Sequence, residues 1–532
     1  MKLATLTRTK DPFLDLPDEI IHHILSYLPM KVAAQTAVLS RRWKHIWYSY
    51  PVFDFCQNYL FDLHLDGYMG PALDEYITPK YWGTVEKLAI ILDQKLMRFS
   101  EYKIGIKKFK LFMALVDQEF HSYIDNWMEV VSKKHVKELD LSIMVGGRCC
   151  YVLPKTIFAA KSLTVLKICG YNLALKDPFM ESAVDLHSLQ ILSLEKVYVD
   201  EKTTQNLISS CPFVEDLYLS FSGDTLQSLN VYGLVKLVNL TVKMCTNGYL
   251  SMKLSGCQGL QRVSLDHVAL DCVFDDANFP QIESISLTDS IFSKGFRISS
   301  HQLKTLKIVE CYEELNIFAP NLISVHHRYD SSVRPIYLPF LNENCKLKVQ
   351  MDTVGDSIST SWYIGLKEYL QRQKETETLE ASFYSEKVEF DREEAEKGDC
   401  LWPPRSLKCL EVDVLVPSDS YAAMMNGFFW CCRPQVLSCK TFSGDFVEFL
   451  FKMLTDREDE GCCTSSDTKC WRHSLKDFVI FVNESTEKKG ASLLGYFPKS
   501  ITILSWRIGA FSLNMATPLR RLNDVVLLNR VT

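Results

Sequence analysis

The chain lacks most of what would mark an enzyme or a membrane protein. Its 532 residues contain no Gly-rich phosphate loop and no nucleophile elbow. No apolar run approaches the roughly 18 residues needed to span a bilayer. The N-terminal stretch MKLATLTRTKDP has no apolar core of useful length, so it is not expected to act as a secretory signal. A strong charge of one sign is also missing. A net charge of −6 gives no reason to expect nucleic acid or an anionic membrane as partner.

The 18 cysteines include no Cys-x-x-Cys, and the neighbouring pairs Cys149-Cys150, Cys431-Cys432 and Cys462-Cys463 do not have zinc-ligand spacing. The nearest approach to a metal set, Cys462, Cys463, Cys470 and His473, fails for that reason. His22-His23 falls within a helix, with one or both expected to face solvent, and His326-His327 reads as surface or loop histidine. No metal and no cofactor are therefore expected. Cys169, Cys211 and Cys409 lie in or beside apolar runs and read as small buried hydrophobes in a reducing compartment. The expected location is cytoplasmic, nuclear or both.

What is present is globular in composition, with 47% hydrophobic and 23% charged residues. The length predicts two or more domains unless a repeat array absorbs it. The most legible stretch runs from Leu16 to Trp47. Asp15 or Asp18 is placed to cap a first helix, and Ile20, Ile21, Ile24, Leu25 and Leu28 follow at helical spacing. Pro29 ends that helix. A second helix fits Val32 to Leu39. Ser40 can cap a third, with Leu39, Trp43, Ile46 and Trp47 on one face and Arg41, Arg42, Lys44 and His45 in water. A unit this small cannot hide so much apolar surface by itself.

The motifs in this stretch are LPDEI from Leu16, ILSYLP from Ile24 and VLSRRW from Val38, closed by Trp47. In order and spacing they resemble the plant F-box. The resemblance implies docking to the Skp-type adaptor of a cullin–RING ubiquitin ligase. It assigns that contact to Leu16, Pro17, Ile20, Ile24, Leu28, Pro29, Val38, Leu39, Trp43 and Trp47.

From Val136 an apolar-x-x-apolar-x-apolar pattern recurs, as in Val136, Leu139, Leu141 and in Leu163, Leu166, Ile168. Its first positions are 136, 163, 189, 214, 237, 260, 282 and 303, with a degraded ninth copy at Leu322 and Val325; the period falls from 27 to 19 residues. Such periods are those of leucine-rich repeats. One short strand per repeat cannot bury its inner face alone, so neighbours stack into a solenoid with a parallel concave sheet. The longer early repeats have room for helical returns and the shorter late ones only for extended or 3₁₀ returns. The fold class expected is thus α+β, an α/β solenoid behind a three-helix unit.

The expected layout is a disordered segment 1–11, an F-box 12–52, a connector 53–135, repeats 136–335, an irregular segment 336–400 and a C-terminal region 401–532. The connector is expected to hold a strand at Val85–Ile90 and a helix at Leu111–Lys133. The irregular segment is expected to hold a helix over 357–373, a strand at Leu379–Phe383 and a charged loop, Glu386 to Asp399. Tyr421 to Leu454 reads as helical. Cys470-Trp471-Arg472-His473-Ser474-Leu475-Lys476-Asp477 resembles the C-terminal region of plant F-box/leucine-rich-repeat proteins of the FBD-like group.

Residues alternating with the buried ones should face the concave surface. Acidic ones come early (Glu138, Asp140, Glu195, Asp216) and basic ones late (Lys243, Arg262, Lys307), with Tyr218 among them and Lys167 and Asp266 as exceptions. A polarised face of this kind would orient a protein partner. The function expected is that of a non-catalytic substrate adaptor, the repeats selecting a protein and the F-box docking it to the ligase. A scaffold without a degradation role and a hormone-type ligand receptor are the alternatives.

Overall fold

The computed structural model describes residues 16–57, 79–116, 118–145, 150–175, 186–221, 226–245, 248–293, 296–311, 316–330, 346–355, 358–372, 376–397, 402–441, 443–455, 474–483 and 501–507. Packing divides the chain into two units, residues 1–272 with 277–281, and residues 273–276 with 282–532.

The first unit opens with three short helices, α1 (Asp18–Leu25), α2 (Met30–Gln35) and α3 (Arg41–Ser49), with a 3₁₀ turn Thr36–Val38 after α2. Pro17 and Pro29 occupy the positions just before α1 and α2, and neither helix has a side-chain cap. Asp18 is therefore not a cap. It lies in the first turn of α1, where it complements the helix dipole, and pairs with Arg42 at 3.2 Å. Ser40 does cap α3, accepting from the Trp43 N–H at 3.2 Å.

The chain then runs through β1 (Val52–Cys56), α4 (Pro79–Ser100), β2 (Lys108–Val116), α5 (His121–Lys133) and β3 (Glu138–Val145). Two expectations for this stretch are corrected. Val85–Ile90 is helical, because Val85, Leu88, Ala89, Leu92, Leu96 and Phe99 bury one stripe of α4 at helical period. The helix placed at Leu111–Lys133 begins only at His121, because Phe109, Leu111 and Met113 alternate inward as a strand.

The repeat strands and their returns follow as β4 (Tyr151–Leu153), β5 (Val165–Tyr171), β6 (Leu173–Leu175), β7 (Ile191–Glu195), α6 (Glu201–Ser209), β8 (Asp216–Phe221), β9 (Ser228–Tyr232), β10 (Asn239–Met244), β11 (Leu250–Ser255), β12 (Arg262–Asp266) and β13 (Val268–Asp271). β1, β2, β3, β5, β7, β8, β10 and β12 pair in that order, all parallel. The sheet thus begins two strands before Val136. Early returns are helical, through α5, a 3₁₀ turn Lys155–Ala159 and α6. Later returns are extended, and β9, β11 and β13 form a second parallel sheet. Return type follows repeat length in part: the repeat from Leu189 returns through α6, whereas the longer repeat from Val136 returns through β4 and a 3₁₀ turn. Asn172, Lys196 and His267, each the residue after a strand, are left-handed at φ 54°, 55° and 54° and turn the chain toward its return.

The second unit holds β14 (Phe274–Asp275), β15 (Ser284–Thr288), β16 (Ile291–Phe292), β17 (Arg297–Ser299), β18 (Thr305–Val309), β19 (Asn316–Phe318) and β20 (Ser324–Asp330). It continues with β21 (Lys346–Gly355), α7 (Thr360–Arg372), β22 (Thr376–Ser385), α8 (Arg392–Glu396), β23 (Arg405–Leu415), α9 (Tyr421–Cys431), β24 (Cys432–Thr441), α10 (Gly444–Thr455), β25 (Asp477–Asn483) and β26 (Ile501–Arg507). β15, β18 and β20 through β25 form one parallel series, and β26 adds antiparallel to β25. The degraded copy at Leu322 is thus a full member.

The described residues of segment 336–400 are not irregular, since β21 and β22 pair in the sheet there. Part of the expected charged loop is α8, capped by Asp391 and buried at Ala395. The expected helical run Tyr421–Leu454 is broken by β24, whose Pro434 cannot donate within a helix. Cys462, Cys463, Cys470, Trp471 and His473 lie outside the described residues.

Candidate functional site

Two surfaces of the first unit carry the residues singled out in the sequence. The three helices close on a small core of Ile21, Leu25, Ala33, Trp43, Ile46, Trp47 and Tyr50, with Leu16 and Leu28 packed against it. Outside that core stand Val38 (85% exposed), Tyr27 (76%), Leu39 (65%), Ile20 and Val32. Val38 and Leu39 project from the 3₁₀ turn before α3, where too few residues remain to fold back over them. Arg42, expected in water, is half-buried and donates to the Leu16 carbonyl and to Asp18. His22 also turns inward, with Nε2 3.3 Å from Ser49 Oγ, and burial holds its pKa below the ordinary value. His23 is exposed.

Lys95 of α4 joins this unit to the sheet. It is 2% exposed, and its Nζ donates to the Trp47 carbonyl at 3.0 Å. The ammonium lies 3.7 Å from the Trp47 ring centroid, 4.7 Å from Phe53 and 5.7 Å from Tyr50. Burial pushes its pKa down to about 7, while the three ring faces and the carbonyl favour the charged form. Nothing in the local sequence marks Lys95; its role comes from tertiary packing.

The second surface is the open face of the parallel sheet. Its rows run across the strands in register. One row reads Lys108, Glu138, Val165, Ile191, Asp216, Asn239, Arg262. Lys108 pairs with Glu138 at 3.7 Å. Arg262 Nε donates to Asn239 Oδ1 at 2.6 Å, and Asn239 Nδ2 to Asp216 Oδ2 at 3.3 Å. The expected polarised face is corrected by these contacts. β2 adds lysines at the acidic end, and a hydrogen-bonded ladder ties Arg262 to Asp216. Asp140 lies between Lys110 and Lys167 in the next row. Glu195 and Lys243 share a third row, with Lys243 Nζ 5.8 Å from the Tyr218 ring. Lys307 is exposed on β18 of the second unit.

Comparison with known proteins matches residues 13–55 to the F-box domain and residues 124–248 to the leucine-rich repeats of the FBD-associated F-box protein At5g56370. These two segments of the chain thus resemble the F-box and the leucine-rich repeats of FBD-associated F-box proteins. It is similar to the F-box/LRR-repeat protein At4g00320 of Arabidopsis thaliana, 32% identical over 216 residues, or 40% of this chain and 39% of that one. The FBD-associated F-box protein At5g22720 of the same plant is 29% identical over 245 residues, 43% of this chain and 46% of its own length. The F-box/LRR-repeat protein At4g14103, also from Arabidopsis, is 30% identical over 217 residues, 40% of this chain and half of its own length. The matched part of the chain thus spans half or less of each of these relatives.

The F-box residues divide by role. Pro17, Ile20, Pro29, Val38 and Leu39 are on the surface, and Leu16, Ile24 and Leu28 are half-buried. Trp43 and Trp47, at 7% exposure each, belong to the F-box core, which needs their rings to close three short helices. They are not available for docking. Leu39 does not share their face. Tyr27 and Val32 are exposed and were not singled out from the sequence.

The described cysteines are all free thiols; Cys211 is buried, while Cys169 and Cys409 are half-buried. Burial pushes the Cys169 and Cys211 thiols up to about 12. Among the described residues no helix is long and apolar enough to cross a membrane.

Proposed function

We propose that this protein is the substrate-binding subunit of a Skp–cullin–F-box ubiquitin ligase. The observation that carries the reading is the exposure of Val38 and Leu39, with Ile20 beside a closed core. Exposed large side chains on a unit that has already completed its core support a standing protein partner. That partner is the Skp-type adaptor, and through it a cullin–RING ligase. The repeats select a protein for ubiquitination and degradation. The chain supplies proximity and no catalytic group, cofactor or metal, since transfer belongs to other subunits. We assign residues 401–532 to the FBD-like C-terminal region and the working location to the cytoplasm, the nucleus or both. Nucleic acid and membrane are not among its partners on this reading.

The test is co-purification with a Skp-type adaptor, for the full chain and for Leu16→Ala with Pro17→Ala. The native chain should capture the adaptor and the variant should capture less. Failure of the native chain to bind would contradict the reading. Proximity labelling with the proteasome inhibited then identifies partners. Their half-lives should lengthen when the F-box surface is disabled, and unchanged half-lives would leave a scaffold.

A further inference from the structure

On the open face of the first unit, one corner differs from the rest. Ala114 and Met144 form a buried apolar pair there, separate from the main core, with Phe112, Cys169 and Tyr171 packed around it. These side chains are on the open side of the sheet, since they alternate with the inward-facing Met113, Ile143 and Ile168 along β2, β3 and β5. Burying apolar groups on the open face of a repeat sheet does nothing for the inner core. Phe112 and Tyr171 remain partly exposed and flank Met144 as a shallow apolar step.

Charged groups continue from this step in a fixed direction. Cys169 on β5 is in register with Glu195 on β7, Glu195 with Ser220 on β8, and Ser220 with Lys243 on β10. The thiol of Cys169 is held protonated by burial and by Glu195, so it extends the apolar floor and is no nucleophile. Burial and Glu195 also raise the Tyr218 phenol above its ordinary pKa, so the ring beside Lys243 stays neutral. The order across the sheet is therefore apolar, acidic, neutral aromatic, basic.

The spacing sets the occupant. β3 to β7 is two strand steps, and β7 to β10 is two more. Two steps are about 9.6 Å, and an extended chain covers about 3.3 Å per residue, so each interval matches roughly three residues. We propose that this face captures an extended protein segment carrying three anchors in order: a large apolar residue on the Phe112–Met144–Tyr171 step, then, after about three residues each, a Lys or Arg at Glu195 and an Asp or Glu at Lys243. The inference rests on the reading of the chain as a substrate adaptor and names the chemistry of what it takes.

The experiment is a positional library of immobilised peptides probed with the full chain bound to its Skp-type adaptor. Native protein should select the apolar, basic, acidic order at that spacing. Glu195→Lys should turn the basic preference acidic, and Lys243→Glu should turn the acidic preference basic. Glu195→Gln, a milder change, should lower binding of the best peptide about fivefold, the upper range for one partly exposed ion pair. No selection at the two charged positions, or preferences that survive both reversals, would overturn the proposal. Adaptor capture is read on the same preparations. A chain that holds the adaptor but selects no peptide defeats this inference alone, and a native chain that fails to hold the adaptor defeats the adaptor reading.

Discussion

In the F-box, Ile20, Tyr27, Val32, Val38 and Leu39 stand in solvent. On the open face of the repeat sheet, Phe112, Val165, Tyr171 and Ile191 are all partly covered, and charged side chains pair across strands. The difference follows from size. Three helices of 8, 6 and 9 residues close a core around two tryptophans and have nothing left to cover the remainder. A stacked sheet buries every inner face against its own returns and can leave a polar outer one. The first surface gains from permanent burial. On the proposed adaptor reading the second gains from choosing among partners, because paired charges penalise a mismatched one.

The largest effect expected separates core from surface within the F-box. Trp43→Ala should destabilise the unit by about 3–5 kcal/mol, by cavity formation. Val38→Ala or Leu39→Ala should cost less than about 0.5 kcal/mol. Urea unfolding of the full chain measures both. Similar losses for Trp43 and Val38 would erase the distinction between them.

That distinction was not legible in the sequence. Helical spacing shows that Leu39, Trp43, Ile46 and Trp47 are apolar and one or two turns apart. It does not show that Leu39 lies in the turn before α3, clear of the core. The repeats were far more legible, because each copy repeats one inward-facing pattern and the strands appear where the pattern is. The connector misled for the opposite reason. Val85–Ile90 has both strand-like composition and a place in a longer helical stripe, and the 22-residue stripe of α4 wins by burying more. β2 was missed because its alternation, Phe109, Leu111, Met113, overlaps a run that also fits a helix. With β2 went Lys108, Lys110 and Phe112, so the open face read from sequence was more polarised than the real one.

Next in size is Gly170→Ala in β5. A Cβ there would lie 2.4 Å from the Ile143 carbonyl oxygen and 2.6 Å from Leu173 Cδ2. The substitution should cost about 1–3 kcal/mol of repeat stability through overpacking, read in the same urea titration. Adaptor capture should be retained under native conditions, since the atoms that a Cβ there would meet belong to Ile143 and Leu173 and not to α1–α3. Loss of capture at native stability would mean that the two surfaces are less separate than described. Ser40→Ala should cost about 1 kcal/mol in the F-box, by removing the acceptor for the Trp43 N–H.

Lys95 gives a pH effect. Its folded pKa of about 7 lies below the unfolded value of about 10.4. Between these values the unfolded chain binds a proton that the folded chain lacks, so the contribution of Lys95 to stability rises with pH across that window and is lost as pH falls through about 7. Lys95→Met should remove this part of the slope, so that native chain and variant differ in pH dependence between about 7 and 10.4. Urea midpoints of native chain and variant, compared at neutral and alkaline pH, test it. Parallel pH dependences would show that the α3–α4 contact carries no titrating charge.

On the proposed reading the exposed turn of the F-box is a docking surface independent of its core. Titration calorimetry of a Skp-type adaptor into the full chain, native and Val38→Glu with Leu39→Glu, tests it most directly. Two large side chains at roughly 1.5–3 kcal/mol each predict at least about a 100-fold weaker Kd for the variant, with its urea midpoint unchanged. Equal affinity in the two proteins would contradict the account.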